Sequence, residues 1–178
     1  MARPRSIDRE HLLDVAENLV ASAGAASLSF GSLAVAASLS KASVQTIFGT
    51  REAMIEALLT RWMAREGEAY LAILGNDNAP GARLSAHLQS TQREEASVGK
   101  AVSALLATVV GSGNASAAMQ KWYRMRLDDL NADDQYSRKR RLAYLAAEGA
   151  FLLRNLVGLE IEDDKWASIF CDIEEMLS

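Results

Sequence analysis

Between Ser29 and Glu52 the chain reads SFGSLAVAASLSKASVQTIFGTRE, and this stretch restricts the possible fold more than any other. Phe30, Leu33, Ala34 and Ala37 recur at the spacing that gives a helix one apolar face. Ser29 precedes them, and its hydroxyl can take one of the unpaired N–H groups of a first helical turn. Ser38-Leu39-Ser40 breaks the period. Ser40 then caps a second helix, Lys41 to Phe48, in which Val44, Ile47 and Phe48 form the apolar stripe. Lys41, Ala42, Gln45 and Thr46 fall on the other side. A short helix with a small, hydrogen-bonding outer face, propped on another helix, suits the major groove of DNA. The expectation is a helix-turn-helix.

From Gly24 to Glu52 the sequence resembles, without a gap, the N-terminal signature of the tetracycline-repressor family of bacterial transcription regulators. Gly24, Ser29, Leu33-Ala34, Leu39-Ser40, Val44, Phe48, Thr50, Arg51 and Glu52 fall in step with it. Four positions depart: Ser38 replaces the turn glycine, Ala42 the helix glycine, Gln45 the usual tyrosine and Ile47 the usual histidine. In the family the tyrosine and histidine positions commonly touch DNA phosphates. The resemblance implies a DNA-binding head over residues 1–52 and an effector-binding, dimerising body over residues 53–178. It also implies a repressor that releases a palindromic operator when a small effector binds. The departures leave a second reading open, a family-fold protein whose altered head serves a protein partner or a ligand instead of DNA.

The rest of the chain points to an all-α fold of about nine helices, because it holds only two prolines and its apolar residues recur with helical period. Charged residues at 24% and hydrophobic residues at 49% are those of a globular protein and exclude disorder. The net charge of −4 argues against a strongly basic DNA binder. Within residues 1–52, Arg3, Arg5, Arg9, Lys41 and Arg51 balance Asp8, Glu10, Asp14, Glu17 and Glu52, so the head is neutral. Distribution matters more than the sum. Arg3 and Arg5 sit on a polar arm, Lys41 and Arg51 flank the recognition helix, and the acids of the first helix can face away from DNA. MARPRSIDRE lacks the apolar core of a signal peptide. The stretch Ala101 to Val110, broken by Ser103 and Thr108, falls short of the roughly 18 residues that span a membrane. The expected location is cytoplasmic.

Along the chain, helices are expected at Asp8–Ala23, from Thr50 to near Gly75, at Ala82–Glu95 and at Ser97–Val110. Another runs through Trp122 and Tyr123 to about Leu130, and a long one carries Leu142, Leu145, Ala146, Gly149, Leu152, Leu153 and Leu156. A last helix starts in the acidic run Glu160 to Asp164 and carries Trp166, Ile169, Phe170, Ile173 and Leu177. These last two helices resemble the family's dimerisation pair, with Leu142, Leu145, Ala146, Gly149, Leu153, Trp166, Phe170 and Ile173 as the candidate interface. A two-fold dimer reads two half-sites about 34–36 Å apart.

On the head, Gln45 is the candidate base reader, because its amide can pair with the N6 and N7 of an adenine. Lys41, Thr46, Ser29, Ser40, Thr50, Arg51, Arg3 and Arg5 are candidates for the phosphates, with Ala42 on the same face. In the body, Trp62, Leu105, Met119, Trp122, Tyr123 and Phe151 are candidate walls of a pocket for an apolar effector. No charged cluster stands out in the sequence to define a polar ligand. Cys171, among Ile169, Phe170 and Ile173, reads as a buried small hydrophobe. His11 and His87 have no partners at metal-ligand spacing, and no triad, carboxylate pair or phosphate loop marks an enzyme. Neither a cofactor nor a metal is expected.

Overall fold

A computed structural model describes residues 8–77, 79, 81–111, 117–126 and 135–177. Among them are nine α-helices and no strand. In chain order these are α1 (Arg9–Ala23), α2 (Phe30–Ala36), α3 (Lys41–Phe48), α4 (Arg51–Leu74), α5 (Ala82–Arg93), α6 (Ala96–Gly111), α7 (Ala117–Arg126), α8 (Gln135–Leu152) and α9 (Asp163–Glu175). A 3-10 turn, Ala25–Ser27, separates α1 from α2, and a π turn, Leu153–Val157, extends α8. No described helix is long and apolar enough to cross a membrane.

Side-chain caps set where the head helices begin. Asp8 accepts from the Glu10 N–H at 2.9 Å, so α1 starts one residue later than the apolar period suggested. Ser29 and Ser32 cap each other's backbone N–H groups at the start of α2. Ser40 accepts from Ser43 N–H at 3.0 Å and Thr50 from Ala53 N–H at 3.0 Å. Each such cap contributes about 1 kcal/mol by satisfying a donor that the helix itself leaves unpaired.

The turn between α2 and α3 closes through two backbone bonds. Leu39 N–H reaches Ala34 C=O at 2.8 Å and Ser38 N–H reaches Val35 C=O at 3.2 Å, the paired pattern of a helix ending in a left-handed residue. Ser38 is that residue, with φ of 54°, and among the described residues no other non-glycine has a positive φ. The family's glycine at this position therefore has a backbone reason, which this chain overrides.

Two apolar clusters fill the interior. The larger joins Leu12, Leu13 and Ala16 of α1, Leu33 of α2, Val44 of α3, Met54, Ile55, Leu58 and Leu59 of α4, and Val102 and Leu105 of α6. It runs unbroken across residue 52, because α4 contributes Met54, Ile55, Leu58 and Leu59 to the same cluster as α1, α2 and α3. The smaller joins Leu84 and Leu88 of α5, Ala143, Tyr144, Ala147 and Phe151 of α8, and Trp166, Phe170 and Ile173 of α9.

The smaller cluster corrects part of the expected dimer surface. Trp166, Phe170 and Ile173 are buried inside their own chain, because α9 turns its aromatic face onto α5 and α8. The exposed apolar residues of α8 and the segment after it include Leu142, Leu145, Leu152 and Leu153, followed by Leu156, Val157 and Leu159. Ala146 is exposed and Gly149 half-buried on the same helix. Cys171 is exposed, not buried, since it lies between the inward positions Phe170 and Ile173.

Candidate nucleic-acid interface and effector site

In the head, α3 stands on the core through Val44 (0% exposed) and Phe48, with Ile47 half-buried against the same cluster. That anchoring leaves Lys41, Ala42, Gln45 and Thr46 exposed together on the outer face. Their chemistry differs more than the sequence suggests. The Thr46 hydroxyl donates to Ala42 C=O of its own helix at 2.8 Å, and the Ser29, Ser40 and Thr50 oxygens serve as caps. Arg51 is turned inward, where Nε donates to Leu28 C=O at 2.8 Å and a terminal nitrogen to Ala25 C=O at 3.4 Å. It ties the start of α4 to the turn before α2 and is a brace, not a free cation. Arg3 and Arg5 lie outside the described residues.

The acids of α1 are engaged as well. Arg61 of α4 meets Asp14 at 2.5 Å, and Arg65 holds Glu17 through two bonds of 2.8 and 3.2 Å. Two of the head's negative charges are thus matched by cations beyond residue 52, a pairing that a charge count over residues 1–52 misses. On α3 the single formal charge is Lys41.

Among the described residues, two cavities that adjoin α4 stand out. The larger, about 210 Å³, lies between α1, α4 and α6 and is lined by Val20, Ala21, Leu58, Trp62, Val98 and Leu105, with Glu17 and Arg65 among its polar walls. The smaller, about 20 Å³, lies among α4, α5, α7 and α8 and touches Trp62, Glu66, His87, Trp122, Tyr123 and Glu148. Of the expected pocket residues, Trp62 borders both cavities. Leu105 borders the first, while Trp122, Tyr123 and Phe151 border the second. Met119 is buried in the larger apolar cluster and lines neither.

The smaller cavity corrects the expectation that no charged cluster marks the body. Glu66 of α4 and Arg126 of α7, each 8% exposed, form a buried ion pair, and Ser90 of α5 donates to Glu66 at 3.0 Å. His87 Nε2 lies 3.0 Å from a Glu148 oxygen, and the His87 ring stacks on Tyr144 with centroids 4.5 Å apart. Trp62 and Trp122 rings pack at 5.5 Å. Burial, with the Glu148 charge behind it, pushes the hydroxyls of Tyr123 and Tyr144 well above the usual phenol range. Sequence order hid this cluster, since Glu66 and Arg126 are 60 residues apart. A signal was present all the same, because Glu66 interrupts the buried stripe Leu59, Trp62, Tyr70 of α4 at a core position.

The sequence model of the tetracyclin repressor-like C-terminal domain matches residues 81–178. The chain belongs to the tetracycline repressor-like family. Among solved structures, the multidrug binding protein EbrR complexed with imidazole has a similar fold, with a TM-score of 0.64 at 16% sequence identity. The similarity covers 93% of this chain and 88% of that one. No curated protein matches the sequence significantly. As a family member the chain has the fold of a ligand-binding regulator.

Proposed function

We propose that this protein is a dimeric, ligand-responsive transcriptional repressor that binds a two-fold operator through residues 1–52. The observation that carries the reading is the outer face of α3, where Lys41, Ala42 and Gln45 are exposed side by side on a helix held by Val44 and Phe48. Gln45 reads a base edge, and Lys41 contacts phosphate together with backbone N–H groups at the starts of α3 and α4. The ion pairs of Asp14 and Glu17 with α4 support this by drawing negative charge toward α4.

Dimerisation uses the exposed leucines of α8 and the π turn, Leu142, Leu145 and Leu153 among them, with Ala146 and Gly149 allowing close approach. Such a patch left in water has an unfavourable hydration that a second copy removes. An effector bound in the body among Trp62, Trp122 and Tyr123 shifts α4, and the cavity of about 210 Å³ between α1, α4 and α6 gives that helix room to move. The heads then change spacing and operator affinity falls, for which a coupling of about 1–3 kcal/mol suffices.

The single charge on α3 and the inward turn of Arg51 favour the other reading, a head that serves a protein partner. Selection of genomic fragments by the purified protein at low salt separates the two. The repressor reading expects enriched fragments that share a two-fold repeat. It also expects Gln45→Ala to relax one base position and Lys41→Ala to weaken all fragments alike. No enrichment contradicts it.

A further inference from the structure

Head and body meet at a void. The cavity of about 210 Å³ takes its walls from α1 of the head and from α4 and α6. The larger apolar cluster surrounds it, with Val20, Leu58, Trp62, Val102 and Leu105 all buried. Protein interiors pack as densely as organic crystals, and few of their voids exceed a water molecule in size. A cavity of about 150 Å³ with comparable apolar walls takes up benzene. This one has room for a ring with a short substituent.

The polar residues of the lining mark its mouth. Asn18, Arg65 and Ser97 are exposed and Glu17 is half-buried, whereas the floor is apolar. Glu17 and Arg65 hold each other through two bonds of 2.8 and 3.2 Å, so the pair presents no net charge to a ligand. An ion entering the cavity sheds its water without meeting a free counter-charge on the floor. A neutral ring sheds only unfavourable hydration, and it gains an aromatic neighbour in Trp62.

We propose that this cavity is a ligand site in its own right, one that takes a small, neutral, single-ring aromatic molecule. It is separate from the effector pocket proposed above, because Ala21, Val98 and Ala101 line this cavity and not the one among α4, α5, α7 and α8. Its occupant touches Val20 and Ala21 on α1 and Val98 and Ala101 on α6, and so joins head to body by packing. Nothing in this binding depends on whether the head reads DNA.

The test is a calorimetric titration of the full chain with ethylbenzene, against its charged isostere benzylammonium and the anion benzoate. Ethylbenzene is expected to bind at least about tenfold more tightly than either ion. Ala101→Phe puts a ring of the chain's own into the cavity, and Ala21→Leu fills it from an exposed position of α1 that a good helix former suits. Each is expected to weaken ethylbenzene at least about tenfold. Amide hydrogen exchange with ethylbenzene bound is expected to slow in α1 and α6 and to stay unchanged in α9. No ethylbenzene binding, or equal binding of benzylammonium, overturns the proposal in the parent protein, whether or not the variants fold. So does ethylbenzene binding that both variants leave intact, or protection confined to α5, α7 and α8, since the molecule then sits elsewhere.

Discussion

Replacing Ser38 by glycine should stabilise the protein, although it removes a side chain. Ser38 holds φ at 54° while both hydrogen bonds of the α2–α3 turn, at 2.8 and 3.2 Å, are formed around it. A residue with a Cβ pays about 1–2 kcal/mol to occupy this left-handed region. Glycine returns that energy but gives the unfolded chain about 0.4–1 kcal/mol of additional conformational entropy. The difference is a gain centred on about 0.8 kcal/mol within a range of about 0–1.6 kcal/mol, or about 2–3 °C in Tm for a chain of this size. Urea and thermal unfolding, at one fixed protein concentration because a dimer's stability depends on it, measure the change directly. Ser38→Ala is the control, since it keeps the Cβ and should show no gain. If Ser38→Gly is destabilising, or Ser38→Ala matches it, the backbone is not the source of strain and the reasoning fails.

Further outcomes follow from the same structure. Arg51→Met leaves the Leu28 carbonyl without its arginine donor, while Ala25 C=O keeps the Leu28 N–H, and should cost about 1–3 kcal/mol of stability in chemical denaturation. The same change should leave the salt dependence of DNA binding unchanged, since Arg51 is a brace. A Cβ added at Gly99 falls 2.8 Å from the Asn155 side chain, so Gly99→Ala should cost about 1–3 kcal/mol. Asn155→Ala in the same chain should restore part of that loss, and a double-mutant cycle showing strict additivity contradicts the contact. Leu145→Glu, at a site 53% exposed on α8, should shift the protein to monomer in sedimentation without lowering its helix content. A dimer that persists places the interface elsewhere.

The head was largely legible from sequence because its signals are local. Ser29, Ser40 and Thr50 mark helix starts by side-chain chemistry that acts within three residues. The stripe Val44 and Phe48 fixes which face of α3 turns outward. The body resisted for the opposite reason. On α8 and its π turn two apolar stripes coexist, with Ala143, Tyr144, Ala147 and Phe151 inward and Leu142, Leu145 and Leu153 outward, and period alone does not rank them. On α9 the aromatic face serves its own core, and the period that suggests an interface at Trp166 and Phe170 carries no sign that α5 already covers them. The engagement of Arg51 by carbonyls 23 and 26 residues earlier leaves no mark in a pattern. Nor does the meeting of Glu66 with Arg126, or of His87 with Glu148, which only the packing of α4, α5, α7 and α8 brings about.

The central claim is that the exposed face of α3 binds DNA as one half of a two-fold reader. The most direct measurement is operator affinity as a function of salt, between about 50 and about 200 mM, for the parent and for Lys41→Ala. Each phosphate neutralised contributes a slope of about −0.9 in log K against log salt. The account predicts a steep negative slope for the parent. In Lys41→Ala the slope should be shallower by about two phosphates, one for each protomer. A flat response, or a slope that Lys41→Ala leaves untouched, contradicts it.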